Sequence, residues 1–136
     1  MTDVDVHALQ PEVERVFRGV RDRVRDVYAR PPRRADRKED GTLVTRLDRE
    51  LDDWLGSELL DLHPEWGLVT EESGEVRAGS PTWHLDPLDG TLNFTRRLPV
   101  FACQAALLDG TDPLFSVIYD PLHDDFAWAG KAAGTW

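Results

Sequence analysis

The hydrophobic rhythm of this chain changes once, at His63-Pro64, and that change limits what it can fold into. Before it, apolar residues recur at spacings of three and four; after it, they come in short runs punctuated by Gly, Pro and Asp. The first pattern makes one face of a helix and the second makes short strands. Helices first and mainly antiparallel strands afterwards give an α+β layer packing rather than alternating βαβ units.

Val6, Leu9, Val13, Val16, Val20, Val24 and Val27 set a helix from about Asp5 to Ala29, which Pro31-Pro32 ends because neither proline can donate a helical hydrogen bond. Arg30 to Gly41 reads as a charged loop holding Arg33, Arg34, Arg37 and Lys38, for which solvated surface is the simplest account. A second helix is expected to start near Thr45, capped with Asp48 three residues on, and to run to about Leu62 on a stripe of Leu47, Leu51, Trp54 or Leu55, and Leu59 or Leu62. In the strand half, Gly67 to Thr70 leads into the acidic turn Glu71-Glu72-Ser73-Gly74, and a polar loop follows through Gly79-Ser80-Pro81. Thr82 to Leu85 then delivers Asp86 at its end. Leu98 to Leu108 and Pro113 to Tyr119 form a hairpin about Asp109-Gly110, with a loop expected to exceed two residues. Phe126 to Ala129 adds a further strand after the Asp120-Pro121 turn.

At 136 residues the chain has room for one domain, and its 40% hydrophobic and 31% charged content suits a globular protein. It contains no apolar run of bilayer length, and Met1-Thr2-Asp3-Val4-Asp5 lacks the basic and apolar regions of a secretory signal, so a cytoplasmic location is expected. The net charge of −10 argues against nucleic acid or an anionic membrane as partner. Residues 1–40 carry ten basic and nine acidic side chains, leaving six basic and seventeen acidic in the remainder. Such an acidic remainder needs cations if it is to accept a phosphate ester. Cys103, the only cysteine, lies in an apolar run without a nearby histidine and reads as a buried structural thiol.

The densest chemistry is in Asp86-Pro87-Leu88-Asp89-Gly90-Thr91. Two carboxylates three residues apart, stiffened by proline and followed by glycine and a hydroxyl, offer hard oxygen donors beside backbone N–H groups. Such donors suit Mg²⁺, Mn²⁺ or Ca²⁺ together with a phosphate. The same residue types are common turn formers, so the stretch alone reads equally as a plain turn. Asp48 and the pair Glu71-Glu72 also fall at element ends, where a scaffold presents functional groups; for Asp48 the competing reading is a favourable charge in the first turn of a helix.

Leu43-Val44-Thr45-Arg46-Leu47-Asp48, Glu71-Glu72-Ser73 and Trp83-His84-Leu85-Asp86-Pro87-Leu88-Asp89-Gly90-Thr91-Leu92-Asn93-Phe94, in this order, resemble the inositol monophosphatase family of Mg²⁺-dependent, lithium-sensitive phosphomonoesterases. The last segment is close to the family's D-P-[IL]-D-G-T-x-N-F signature. The resemblance implies a sugar-phosphatase-like layered fold, αβαβα in full members, of which this chain supplies the N-terminal layer: two long helices on a mainly antiparallel sheet. It implies Glu71, Asp86, the Leu88 carbonyl and Asp89 as metal ligands, and Thr91 with Glu71 as the holders of the attacking water. Asp48 supports that network, the N–H groups of Gly90 and Thr91 meet the phosphate, and Lys38 matches a basic residue of a loop over the metals. The cofactor implied is Mg²⁺, with Mn²⁺ as a substitute and Li⁺ as inhibitor; the substrate is a small phosphate monoester, and the assembly a homodimer. A phosphate monoester resists attack by hydroxide, so the chemistry calls for cations that neutralise its oxygens, lower the pKa of a water and hold attack in line. No histidine is required, and His84 reads as a strand residue near the site while His7, His63 and His123 lack promoting partners.

The chain departs from the family pattern at Thr70, where glycine is usual, and at Thr42, where many members have aspartate. Lys38-Glu39-Asp40-Gly41-Thr42 resembles the histidinol-phosphatase branch. Members of the family are about twice this length. Residues 1–136 are therefore expected to be a single domain matching the N-terminal half, without the half that holds a W-D-x-x-A motif and most substrate-distinguishing residues. The alternative expectation is a truncated member without catalysis of its own, acting as a subunit or fragment.

Overall fold

The computed structural model describes residues 3–30 and 37–136, with the side chains of residues 37–45 outside the description. Helix α1 (Val6–Arg18) is capped by Asp5, whose carboxylate accepts from the N–H groups of His7 and Ala8 at 3.1 Å each. Helix α2 (Arg21–Ala29) follows at once. The single helix expected from Asp5 to Ala29 is thus split: the Gly19 N–H bonds to Arg15 and Val16 carbonyls, and Val20 to Phe17, tightening the coil to an i→i+3 pattern. Gly19, which has no Cβ, leaves room there for the Trp54 indole, whose Cη2 lies 2.5 Å from where a Cβ would stand.

Helix α3 (Arg37–Leu62) starts eight residues before the expected Thr45. Backbone helix continues on both sides of Thr45, so that residue is not a cap, and Arg37 to Gly41 is helical rather than a charged loop. Apart from Gly41, Arg37 to Thr45 holds no strong helix breaker once Pro31-Pro32 is passed, and Arg, Lys and Glu are good helix formers. The side chain of Lys38 lies outside the described residues.

Among the described residues the strands form one seven-stranded sheet in the order β2-β1-β3-β4-β5-β6-β7. They are β1 (Gly67–Thr70), β2 (Gly74–Arg77), β3 (Thr82–Asp89), β4 (Ala102–Asp109), β5 (Asp112–Asp120), β6 (Asp125–Gly130) and β7 (Gly134–Thr135), and a five-residue helix α4 (Thr91–Thr95) lies between β3 and β4. All neighbouring pairs are antiparallel except β1 and β3, which run parallel with Thr70 beside Leu85. The β4–β5 loop is shorter than expected: Asp109 pairs with Asp112, leaving only Gly110-Thr111, with Gly110 at φ 61° as a glycine-first two-residue loop requires.

Among the described residues, helices cover one face only. Trp83, Leu85, Leu107, Phe115, Val117 and Tyr119 point from the sheet into the helical layer, where Val13, Val16 and Phe17 of α1 and Leu47, Leu55 and Leu59 of α3 meet them in one buried cluster. Each such side chain contributes roughly 1.5–3 kcal/mol relative to exposure. Cys103 belongs to this cluster, and burial pushes its thiol pKa upward, as expected for a structural cysteine. The opposite face of the sheet is left open by the described residues, with Ile118 54% exposed. The polypeptide between β2 and β3 passes close against the start of β1, where a Cβ on Gly79 would lie 2.5 Å from the Gly67 nitrogen.

Candidate active site

Strand β3 does not stop at Leu85. It pairs Leu85 with Ala105 and Asp86 with Gln104, loses register, and resumes with Asp89 opposite Ala102. The irregularity coincides with Pro87, which has no N–H to give the ladder. Alternation across the break buries Leu85, Pro87 and Leu88 and turns Asp86 and Asp89 outward, Asp86 half-buried and Asp89 exposed. Gly90 then reverses the chain at φ 86°, with the Val100 carbonyl 2.8 Å from the place of a Cβ. The Thr91 hydroxyl donates to the Leu88 carbonyl at 3.0 Å, tying the start of α4 back to the strand.

Glu71 arrives from β1. Its N–H donates to the Leu85 carbonyl at 3.0 Å, which extends the parallel ladder by one residue and sets Glu71 next to Asp86. From the helical side, α3 brings Asp48 and, one turn later, Asp52, which are 8% and 3% exposed. Asp52 accepts from the hydroxyls of Thr70 at 3.0 Å and Ser73 at 2.7 Å. Gln104 reaches Asp86 Oδ2 with its Nε2 at 3.4 Å.

These acids perturb one another. Burial, then the charges of Glu72, Asp86, Glu71 and Asp52, push the Asp48 carboxyl up to about 7. Burial, followed by contact with the Glu71 carboxyl and the charges of Glu71 and Asp89, pushes Asp86 up to about 7, against the opposing hydrogen bond from Gln104. Oδ1 of Asp48, of Asp52 and of Asp86 are each buried without a hydrogen-bond partner among the described residues. Buried carboxyl oxygens normally find a donor, and adjacent carboxyls repel unless a proton or a cation lies between them. Among the described residues no three His, Cys, Asp or Glu side chains converge closely enough to make a ready-formed cation site. The hard oxygens of Glu71, Asp86 and Asp89 and the orphaned Oδ1 of Asp86 nevertheless fit a divalent cation in chemistry and charge.

The fold therefore brings Asp48, Glu71, Asp86 and Asp89 into one electrostatic neighbourhood and joins Leu88 to Thr91, while Gly90 forms the turn between them. Asp52 and Gln104 were missed by sequence reasoning. Asp52 carried a signal, since it lies four residues after Asp48 on the same flank of the leucine stripe; Gln104 depends on strand register, which spacing does not reveal. His84 is exposed and lines a cleft of about 480 Å³ on the open face, together with Glu71, Asp86, Gln104 and Ser116. Two other histidines have partners the sequence did not show: His123 Nδ1 lies 2.7 Å from Asp120 Oδ2, and His63 stacks on Trp66 at 3.8 Å.

A model of the inositol monophosphatase family matches residues 6–136. The chain is 30% identical over 102 residues to a fructose-1,6-bisphosphatase/inositol-1-monophosphatase of Aquifex aeolicus, a match covering 74% of this chain and 39% of that protein. It is 34% identical over 101 residues to an inositol-1-monophosphatase of Mesorhizobium japonicum, covering 73% of this chain and 38% of the relative. Among solved structures, the extragenic suppressor protein suhB of Bartonella henselae superposes with a TM-score of 0.80 at 26% identity, over 95% of this chain and 50% of that one. The chain thus spans about two-fifths of the length of these curated relatives and half of that solved chain.

Proposed function

Because the chain belongs to the inositol monophosphatase family, we propose that its site serves the Mg²⁺-dependent hydrolysis of a small phosphate monoester by in-line attack of water, without a covalent enzyme intermediate. The observation that supports this most directly is the pair of buried oxygens on Asp48 and Asp86 that have no hydrogen-bond partner among the described residues, on carboxyls both held up to about 7 by burial and neighbouring acids. Glu71, Asp86, the Leu88 carbonyl and Asp89 would hold the cation. When bound, it supplies charge neutralisation for phosphate oxygens and a lowered pKa for water. The Thr91 hydroxyl, fixed by Leu88, orients the attacking water together with Glu71, and Asp48 serves the proton network behind them. Backbone N–H groups of Gly90 and Thr91 meet the phosphate. Mn²⁺ replaces Mg²⁺ and Li⁺ inhibits in this reading. The names of the Aquifex and Mesorhizobium relatives favour inositol phosphates and sugar phosphates as the substrate class, with histidinol phosphate as a further member suggested by Lys38 to Thr42. We assign the chain to the N-terminal half of the family's fold, working in the cytoplasm within a homodimer.

A second reading, a catalytically silent subunit or fragment, is favoured by the match to only two-fifths of the relatives' length and by the open sheet face. Phosphate release from inositol 1-phosphate and histidinol phosphate decides between them. The first reading expects release that needs Mg²⁺, stops with EDTA and is lost in Asp86→Asn. Mg²⁺ binding without release on any ester supports the second reading, and release indifferent to EDTA overturns both.

A further inference from the structure

Glu71 and Glu72 sit on an exposed turn, yet the backbone of that turn is anchored from beneath by a group that the proposed reaction does not use. Asp52, 3% exposed on α3, accepts from the Thr70 hydroxyl at 3.0 Å and the Ser73 hydroxyl at 2.7 Å through one oxygen, Oδ2. The Thr70 hydroxyl in turn accepts from the Ser73 N–H at 2.9 Å. These three bonds close a ring across Thr70-Glu71-Glu72-Ser73, and the Glu71 N–H is fixed to Leu85 on the far side. Both hydroxyls are spent on this ring, so Thr70, where the family usually has glycine, is part of how this chain holds its acidic turn.

We infer that Asp52 is the positioning residue for Glu71: with Thr70 and Ser73 it forms a clamp that sets the direction of the Glu71 carboxylate and thereby the cation affinity of the site. The inference rests on the proposed cation site. The clamp needs an acceptor, not a charge. An asparagine oxygen accepts from the same two hydroxyls, whereas alanine accepts from neither, and a carboxylate not held in its binding direction loses affinity because ordering it must be paid at the moment of binding.

The test is Mn²⁺ binding by titration calorimetry on the full chain, with amide exchange at Glu71 to Ser73 read by mass spectrometry. Asp52→Ala is expected to weaken Mn²⁺ roughly 10–100-fold and to speed exchange in the turn, while Asp52→Asn stays within about threefold of the parent. Should Asp52→Ala fail to fold by circular dichroism, Ser73→Ala, which removes one hydroxyl from an exposed residue, carries the same expectation at about tenfold. Equal losses in Asp52→Asn and Asp52→Ala would overturn the clamp in favour of a charge or ligand role. Unchanged affinity in the folded alanine variants would reduce the ring to a structural feature. A parent chain that binds no Mn²⁺ at all removes instead the cation site itself.

Discussion

Asp48→Asn removes a carboxyl that the fold keeps protonated far above its ordinary range, and the consequence for stability has a definite sign. In the metal-free folded chain this group titrates near about 7, against about 3.9 when unfolded. Between those values the folded state binds more protons than the unfolded one, so stability is greatest at the acid end and falls as pH rises through the window. The gap between the two values, at ~1.36 kcal/mol per tenfold change in proton activity, sets a ceiling of about 4 kcal/mol lost by pH 8. Asparagine does not ionise and escapes that loss. Urea unfolding of EDTA-treated protein at pH 4.5 and pH 8 should therefore show Asp48→Asn gaining about 2–4 kcal/mol on the parent between the two conditions. The groups whose ionised forms are held by partners act elsewhere. Glu50, bonded to Arg23, and Asp124, bonded to Tyr119 and Arg18, have lowered pKa values, so the stability they add is lost only as pH falls below the ordinary carboxylate range. A parent and variant that run parallel from pH 4.5 to pH 8 would refute the account of Asp48.

Two glycines give sharper tests of geometry. Gly90→Ala places a Cβ at φ 86° and 2.8 Å from the Val100 carbonyl, so it should cost about 1–2 kcal/mol for the left-handed backbone alone and lower Mg²⁺-dependent phosphate release as the turn shifts; a parent-like melting temperature contradicts this. Gly79→Ala meets the peptide group that joins Trp66 to Gly67, 2.5 Å from the Gly67 nitrogen and 2.7 Å from the Trp66 carbonyl carbon, and overpacking there should cost about 1–3 kcal/mol in chemical denaturation; full stability would mean that the two segments separate easily.

The apolar stripes announced the helical layer, because Val6 to Val27 and Leu47 to Leu59 are spaced by the helix's own period and bury as that period dictates. What they could not announce was the break at Gly19-Val20, because the tightening to i→i+3 bonds there leaves the apolar spacing on either side unchanged. Strands β2 and β7 went unread for a different reason: their residues are exposed throughout, so no buried face imposes an alternating pattern, and pairing with a neighbour alone defines them. Within the site, the four acids could be named from the wording of their segments, but their residue types alone left a turn and a metal site equally open. Asp52 and Gln104 lie outside those segments, and only Asp52 left a trace, in its spacing of four from Asp48. Each gains its role from a partner on another element, through a helical turn in one case and cross-strand register in the other.

The parallel pairing of β1 with β3 has a consequence for how the acidic pair is specified. Two strands that run the same way leave the sheet at the same edge, so the residues just past Thr70 and Leu85 become neighbours although fifteen positions separate Glu71 from Asp86 in the chain. Their adjacency is then a property of where the two strands end, while the excursion between them is held at Ser73 by Asp52 and at Gly79 by its close pass against Gly67. A slip of one residue along that ladder would turn Asp86 into the helical layer and bring Leu85 to the open face, exchanging a carboxylate for a methyl cluster in one step. The ladder is the gauge that measures out the site.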